Sequence, residues 1–410
     1  MSHSLCRFCQ TPLTATFVDL GLSPLCQNII RIEEANQAEP FYPLHVSVCD
    51  ACKLVQLGEY VSPSDIFTEY AYFSSYSDSL VAHAKKYVET ITARLGLTAN
   101  DLAVEIASND GYLLQHFLPL GIPVTGIEPA KNVGAVAREK GIPVVHEFMG
   151  VATATNFLRE RGPASLLIGN NVLAHVPDIN DFVEGMHILL AEQGTITMEF
   201  PHLLRLIEGN QFDTIYHEHF SYLSLLAVEK IFAAHGLTIF DVDELKIHGG
   251  SIRIYAQHTA TNPQLTPALL KVRSDEAAAG FETMAAYSDF GERVKRTKNA
   301  ILSKLIELKS QGKTIVGYGA PGKGNTLLNY CGIRTDYLDY TVDRNPYKQG
   351  TLLPGSRIPV HPVEKIAETK PDYIFILPWN LTKEITGQLA YVREWGGKFI
   401  VPIPEVSILE

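Results

Sequence analysis

The sequence predicts an α/β protein in three parts: a small amino-terminal module with four cysteines, followed by two doubly wound units. Two Cys-x-x-Cys pairs lie within the first 52 residues, an apolar strand over residues 102–106 runs into a short polar turn, and a second strand–turn–helix pattern begins at Thr314. Apolar strands that alternate with helical patterns are typical of parallel sheets covered by helices. We predict domains at residues 1–76, 77–280 and 281–410.

Composition narrows the class of protein. The 410 residues are 46% apolar and 19% charged, as in globular proteins with ample cores. The formal charge of -11 argues against general binding of nucleic acids or anionic membranes, which requires a basic surface. No apolar run reaches the ~18 residues that a membrane span needs. The first residues lack the apolar stretch of a signal peptide, so we expect a cytoplasmic protein whose six cysteines are metal ligands or buried thiols rather than disulfides.

The amino-terminal cysteines form two pairs, Cys6 with Cys9 and Cys49 with Cys52. Each pair can present two thiolates to one ion, and four soft ligands suit tetrahedral Zn²⁺. Four thiolates also complete the coordination shell, which predicts a structural metal. A redox-active pair is the alternative.

An aromatic stretch over residues 69–76 follows the module. Its three tyrosines and two serines could stack on a ligand ring and hydrogen-bond polar groups. The alternative is a packing strip at a domain junction.

The first doubly wound unit carries polar residues at its predicted strand ends. The strand over residues 102–106 contains Glu105 and leads into Asn109-Asp110-Gly111, after which a helical pattern begins at Tyr112. The strand over residues 124–127 is followed by Glu128. An acid at the second strand end binds ribose hydroxyls in such folds. The turn lacks the G-x-G-x-x-G of a dinucleotide site, and its acids would repel a pyrophosphate but attract an ammonium group. The pattern favours S-adenosylmethionine, with a solvated strand end and a helix cap as the alternative for the acids.

Further proton-carrying residues follow in the same unit. The strand over residues 165–170 ends at Asn170, a further candidate for cofactor contact, and His175 lies just beyond it, where such sheets hold ligands. The segment Tyr216-His217-Glu218-His219 groups four residues that can move or orient protons. Beside a methyl donor, they could remove a proton from an acidic carbon. A surface or capping cluster is the alternative.

The carboxyl-terminal unit begins after a charged helical stretch over residues 282–311. A strand over residues 314–320 runs into Pro321-Gly322-Lys323-Gly324, whose glycines and lysine could contact a diphosphate. The alternative is a degenerate nucleotide fold that only supplies a cleft wall.

These motifs together resemble the bacterial nucleotide-sugar 3-C-methyltransferases, which build branched deoxysugars. The resemblance covers essentially the whole chain and includes the paired cysteines, Glu-Ile-x-x-Asn-Asp-Gly, Asn-x-Leu-x-His-Val-Pro, Tyr-x-Glu-His, His-Gly-Gly-Ser and Gly-Tyr-Gly-Ala. It implies a central class I methyltransferase sheet, a carboxyl-terminal Rossmann-like domain, S-adenosylmethionine as cofactor, and a nucleoside-diphosphate 4-keto-6-deoxysugar, commonly with thymidine, as substrate. Ala107 departs from the family, whose members carry Gly there.

The resemblance also implies residue roles. His219 is the expected base, Tyr216 and Glu218 share its segment, His175 is a second active-site histidine, and Tyr72 contacts the substrate, with Tyr70 as the second candidate. Cofactor binding falls to Glu105, Asn109, Asp110, Gly111, Glu128 and Asn170. His217 receives no role. The other functions considered are an NAD-linked sugar-nucleotide oxidoreductase and a non-catalytic adaptor that binds zinc and nucleotides. The sequence leaves the oligomeric state open.

Overall fold

The computed structural model of the chain describes residues 4–62 and 73–410. The strands, in chain order, are β1 Ala15–Ser23, β2 Ile30–Arg31, β3 Tyr42–Val48, β4 Val55–Leu57, β5 Ala103–Ile106, β6 Val124–Ile127, β7 Val144–Val145, β8 Ala164–Asn170, β9 Leu190–Pro201, β10 Ser221–Tyr222, β11 Leu237–Leu245, β12 Ser251–His258, β13 Ile315–Tyr318, β14 Thr341–Val342, β15 Thr351–Leu352, β16 Pro359–His361, β17 Tyr373–Ile376, β18 Lys398–Val401 and β19 Ser407–Leu409.

The α-helices, in the same order, are α1 Asp78–Leu95, α2 Lys131–Glu139, α3 Val151–Arg161, α4 Ile179–Leu189, α5 Leu203–Glu208, α6 Leu225–Ala234, α7 Pro267–Ala278, α8 Ala285–Ser288, α9 Phe290–Ser310, α10 Gly322–Cys331, α11 Lys365–Thr369 and α12 Thr382–Gln388. Within the described ranges, none of these helices is both long and apolar enough to cross a bilayer.

The chain folds into two units, each assembled from three separate stretches of sequence. The first unit contains residues 1–15, 48–203 and 218–284, and the second contains residues 16–47, 204–217 and 285–410. The chain therefore passes from the second unit back to the first between His217 and Glu218. The domain boundaries predicted near residues 76 and 280 stay predictions.

The first unit is built on a seven-stranded sheet in the order β11-β12-β9-β8-β5-β6-β7. Strands β5 to β9 are parallel, while β12 runs antiparallel to β9 and β11 antiparallel to β12. Parallel strands place their carboxyl ends at one edge, which is where ligands bind in open α/β sheets. Glu105, Glu128 and Asn170 lie at or just beyond the carboxyl ends of β5, β6 and β8.

Apolar cores cover both faces of this sheet. Phe157 of α3, Phe182 of α4 and Phe232 of α6 pack in one core with the apolar residues of the cysteine module. Tyr87 of α1 and Phe117 pack in the other. The central parallel strands are buried along their length, as expected of strands covered by helices on both sides.

The second unit contains an eight-stranded sheet in the order β19-β18-β17-β13-β14-β16-β15-β2. Strands β18, β17, β13, β14 and β16 are parallel, with antiparallel strands at both edges. The early residues of the chain belong to this unit. Phe17 stacks on Phe290 with ring centroids 4.6 Å apart and an interplanar angle of 8°, and Ile30 pairs with Leu352.

The predicted fold class is confirmed, with one local correction. The sequence predicts a helix from Tyr112, but the structure has two short 3₁₀ turns, Leu114–His116 and Leu118–Leu120. Pro119 lacks the amide that would extend a helix, and Gly121 ends the second turn with a φ of 68°.

Candidate functional site

The four paired cysteines converge on one point. The Sγ atoms of Cys6 and Cys52 are 3.6 Å apart, those of Cys9 and Cys49 are 3.5 Å apart, and all four lie within 4.8 Å of one another. A tetrahedron of thiolates around Zn²⁺ has edges of roughly 3.8 Å, given a bond length of about 2.3 Å. A disulfide would need sulfurs at about 2.05 Å. The donor set therefore fits a zinc ion, and a closed shell of four thiolates marks it as structural.

The turn after β5 is held in an unusual backbone conformation. Ala107, Asn109 and Gly111 have φ values of 57°, 50° and 74°. A side chain on Gly111 would place its Cβ 2.5 Å from Cδ1 of Ile142, so only glycine suits this position. Ala107 instead accepts a left-handed conformation that disfavours L residues. The turn thereby brings the backbone of residues 107–111 close to the carboxyl edge of the sheet.

Glu105, at this edge of the sheet, has a buried carboxyl group with a strongly shifted pKa. Its side chain is 1% exposed, and neither carboxyl oxygen has a hydrogen-bond partner among the described residues. Burial, and then the nearby charges of Glu128 and Asp110, raise the pKa of the Glu105 carboxyl well above its ordinary 4.5. A buried carboxyl in this setting, beside two further acids, is suited to a cationic ligand. The ammonium and sulfonium groups of S-adenosylmethionine have this charge.

Glu128 lies at the end of the neighbouring strand and braces the turn. Its Oε2 accepts the amide of Asn109 at 2.8 Å, and its Oε1 accepts the amide of Ala130 at 2.8 Å. Burial raises the pKa of Glu128, and these two amides partly offset the rise. Each oxygen retains a lone pair for a ribose hydroxyl. Asn170, at the end of β8, has a buried side-chain oxygen with no partner within residues 4–62 and 73–410, and this oxygen can accept a hydrogen bond from a ligand.

Residues just before α1 cover the two polar residues of the turn. The amide of Ser74 donates to Oδ1 of Asn109 at 2.9 Å, and the amide and hydroxyl of Ser75 donate to Oδ2 of Asp110. Asp110 is fully buried, and in the part of the chain that the structure describes its Oδ1 has no hydrogen-bond partner. The predicted substrate tyrosines, Tyr72 and Tyr70, precede this contact but lie outside the described residues.

Two histidines from distant parts of the chain meet beyond the end of β8. The rings of His175 and His219 are 4.7 Å apart between centroids and nearly perpendicular, at 74°. The ring of Tyr222 lies 6.3 Å from His219. Backbone pairing fixes the approach, since the amide of Phe220 donates to the carbonyl of Ala174 at 2.8 Å. The structure thus brings together two of the residues predicted from separate motifs.

His175 is held in its neutral form. Burial lowers its pKa to about 4, and a hydrogen bond with the backbone of Glu218 opposes only part of this shift. A neutral imidazole can donate a hydrogen bond throughout the physiological pH range without changing charge. Glu218 itself is 5% exposed, so its carboxyl is also inside the protein.

The first half of the Tyr216-to-His219 segment belongs to the second unit. His217 is buried there, hydrogen-bonds the carbonyl of Pro43 at 3.2 Å and packs edge-on against Tyr42. This packing explains the position of a residue to which the sequence assigns no role. Tyr216 is half-buried in the same unit.

The second unit also contains a buried charged cluster at the start of α10. Asp213 is fully buried and accepts the indole N–H of Trp379 at 2.7 Å. Burial raises the pKa of Asp213 to about 6, although the charge of Lys323 opposes this shift. Lys323 donates to Asn380 and lies 4.4 Å above the Trp379 ring. Lys323 is therefore already engaged by neighbouring side chains.

Sequence reasoning missed a buried ionic group at the end of β9. Glu199 is 1% exposed and accepts hydrogen bonds from His83, at 3.0 Å, and from Arg253. Arg253 and Glu199 face each other in register on β12 and β9. One acidic and one basic residue, each flanked by apolar residues in a predicted strand, are the signal that could have found this pair. Arg7, beside the first cysteine, was also missed.

Family models match three stretches of the chain. A zinc binding domain matches residues 6–67, a methyltransferase domain matches residues 80–242, and a C-methyltransferase C-terminal domain matches residues 246–404. The order of these matches is the order of the three parts predicted from the sequence.

The C-methyltransferase NovU of Streptomyces niveus is 37% identical over 404 residues, which span 98% of this chain and 96% of NovU. Among solved structures, a methyltransferase from Clostridium acetobutylicum is 13% identical and covers 42% of this chain and 90% of its own, with a TM-score of 0.35. Magnesium protoporphyrin IX methyltransferase of Synechocystis is 15% identical over 44% of this chain and 81% of its own, with a TM-score of 0.33.

The match to NovU and the family models favour the methyltransferase interpretation over an oxidoreductase or a non-catalytic adaptor. The carboxylate-lined edge suits S-adenosylmethionine, and the cysteine cluster suits zinc. The chain belongs to the sugar C-methyltransferase family that its motifs resemble, and it is an S-adenosylmethionine-dependent C-methyltransferase with a zinc-binding module.

Proposed function

We propose that the enzyme methylates carbon 3 of a nucleoside-diphosphate 4-keto-6-deoxysugar, through an enolate that His219 generates. The observation that carries this proposal is the His175–His219 pair beyond the carboxyl end of β8. Strand β8 lies beside β5, whose Glu105 is the leading candidate for cofactor contact. A proton acceptor and a methyl donor on neighbouring strand ends are what carbon methylation requires.

A ring carbon beside a ketone is only weakly acidic, so its deprotonation needs both a base and stabilisation of the oxyanion. His219 takes the proton from carbon 3, and the electron pair of the broken C–H bond delocalises onto the carbon 4 oxygen. His175 remains neutral well below physiological pH, and it donates its single N–H to that oxygen by giving up its hydrogen bond to the Glu218 backbone. Glu218, from the same unit and segment as His219, orients the His219 imidazole or assists at the oxyanion.

Bound S-adenosylmethionine supplies the methyl group as an electrophile on a sulfonium sulfur. Glu105 offers its buried carboxyl to the positive charge of the cofactor, and Glu128 and Asn170 offer oxygens to hydroxyl and amine donors. Gly111, Asn109 and Asp110 shape the turn that brings backbone to the ligand. The zinc site takes no part in proton or methyl transfer because its four ligands leave no open position.

The substrate contacts of the nucleotide part belong to the same proposal. Tyr72, with Tyr70 as the second candidate, stacks on the base or hydrogen-bonds the sugar.

The experiment is to incubate the enzyme with S-adenosylmethionine and a panel of nucleoside-diphosphate keto-sugars. We expect a mass gain of one methyl group, and NMR of the product should place it on carbon 3. Washout of a carbon 3 deuterium label into solvent should depend on His219. The variant His219→Asn should lower turnover by about 10² to 10⁴ fold while the sugar nucleotide still binds.

His258→Asn is the matched control. His258 lies at the end of β12 that pairs near the start of β9, and it hydrogen-bonds the carbonyl of Leu190 at 3.2 Å. This variant should retain washout and turnover. Normal turnover in His219→Asn would remove this residue as the base, and a methyl group on another atom would refute the proposed regiochemistry.

A further inference from the structure

Arg7 immediately follows the zinc ligand Cys6, yet its side chain points toward the histidine-bearing segments. Its Nη1 donates to the carbonyl of Pro177 at 2.8 Å, and its Nη2 donates to the carbonyl of Leu57. The guanidinium carbon lies 5.5 Å from the centre of the Phe220 ring. Burial lowers the pKa of Arg7 to about 10, so the group remains charged at neutral pH.

The partners of Arg7 flank both histidines of the proposed site. Pro177 lies two residues after His175, and Phe220 lies one residue after His219. The two segments also bond directly, since the Phe220 amide donates to Ala174 at 2.8 Å. The Leu57 amide in turn donates to the Phe220 carbonyl at 3.0 Å. Arg7 therefore adds to a set of contacts that links the two segments carrying His175 and His219.

The zinc knuckle determines where this guanidinium lies. The Arg7 amide donates to Oε1 of Gln56 at 2.9 Å, while Nε2 of the same Gln56 donates to Sγ of Cys6 at 3.1 Å. Gln56 pairs in register with Ser221 on β10, two residues after His219. Gln56 of β4 thus contacts both Cys6 and Arg7, and it pairs with β10, which begins two residues after His219.

We propose that Arg7 is a positioning residue that fixes the mutual placement of His175 and His219, and that the zinc module serves catalysis by holding this guanidinium. The inference rests on the proposed roles of the two histidines. A planar fork with several N–H donors can bridge two carbonyls and stack on a ring at once, whereas a lysine ammonium cannot match that geometry. The partly buried guanidinium of Arg7 therefore links the zinc module to the two segments that carry the proposed catalytic histidines.

The test compares Arg7→Gln and Arg7→Lys with the control Arg94→Gln in the full-length protein. Arg94 lies in the same unit, bonds Asp241 at 2.6 Å and stacks 4.1 Å from the Tyr255 ring. It thus offers a similar guanidinium away from the histidine pair. Each variant is assayed for zinc content, for hydrogen–deuterium exchange by mass spectrometry, and for kcat and KM with the keto-sugar nucleotide.

In Arg7→Gln we expect exchange in peptides covering residues 174–180 and 217–224 to rise by about tenfold or more, because charged hydrogen bonds have been lost. We expect kcat to fall by about 10²-fold, since small misplacements of reacting groups have effects of that size. KM and zinc content should stay near wild type. Arg7→Lys should give exchange rates and a kcat between those of Arg7→Gln and wild type. Arg94→Gln should match wild type in the exchange of both peptides.

Three outcomes overturn the inference. Loss of zinc, or faster exchange throughout the first unit, would make Arg7 a general folding residue. Unchanged exchange in the two peptides would show that Arg7 does not hold the segments. Faster exchange with normal kcat would separate the anchor from catalysis. The proposed base is judged separately, because His219→Asn reports on it whatever Arg7 does.

Discussion

Replacing Glu105 with Gln removes a buried carboxyl while keeping its shape, and it should alter stability in a pH-dependent way. In the folded protein the pKa of Glu105 is raised well above 4.5 by burial and by neighbouring Glu128 and Asp110. In the unfolded chain it ionises near its ordinary value. Above that pH the unfolded state releases a proton that the folded state retains, so the free energy of unfolding falls as pH rises.

The slope follows from linkage. Each pH unit between 4.5 and the folded pKa should remove about 1.4 kcal/mol from the wild type, and the loss should end once pH exceeds the folded pKa. Glu105→Gln has no such proton. The stability of the variant relative to wild type should therefore grow as the pH rises above 4.5.

Tryptophan fluorescence would report on the wrong unit, because Trp379 and Trp395 both belong to the second unit and Glu105 belongs to the first. Urea denaturation of the cofactor-free protein should therefore be monitored by hydrogen exchange in peptides that cover residues 103–106. Parallel stability curves for the two proteins across this pH range would refute the reasoning. They would show that Glu105 ionises in the fold as it does in water.

The same variant tests the contact with the cofactor. Ionisation of Glu105 beside a bound cation should release a proton, so the binding enthalpy measured in the wild type should depend on the buffer. Glu105→Gln should lack this release and bind S-adenosylmethionine more weakly by about 3 kcal/mol, roughly 10²-fold. Equal affinity and equal proton release would remove Glu105 from the cofactor site.

Two further predictions concern the turn and the histidine pair. Ala107→Gly should stabilise the protein by about 1 kcal/mol, because Ala107 has a φ of 57° that glycine adopts freely; thermal unfolding measures this, and a lower Tm would contradict it. His175→Gln should become more stable relative to wild type as pH falls from 6.5 toward 4. Over this range the free energy of unfolding of the wild type should fall by about 2 to 3 kcal/mol, because unfolding exposes an imidazole that then gains a proton. Denaturation at pH 5 and 7 measures the difference, and equal shifts in both proteins would exclude it.

Local pattern was sufficient to predict the central strands. The apolar run before Asn109 and the acid at Glu128 identify two adjacent strand ends, and the structure has β5 and β6 there. The cysteine spacing likewise predicted a cluster that the sulfur distances support. In these cases the information lies within a few residues, where periodicity and ligand type are readable.

Contacts between distant residues could not be predicted in this way. Arg7 and Pro177 are 170 residues apart, and Ser75 and Asp110 are 35 apart. Neither pair leaves a periodic signal, because a single hydrogen bond constrains only one donor and one acceptor. The helix predicted from Tyr112 was wrong for a local reason. The apolar spacing favours a helix, but Pro119 has no backbone N–H to extend one, and two short 3₁₀ turns form instead.

The early residues of the second unit have a consequence for synthesis on the ribosome. Residues 16–47 pack with residues 285–410, as the stack of Phe17 on Phe290 shows. The intervening 237 residues, 48–284, must be translated first, which takes roughly 12 to 47 s at about 5–20 residues per second. Until then, the apolar face around Phe17 has no native partner from the carboxyl-terminal part. The nascent chain should therefore depend on chaperones during this interval.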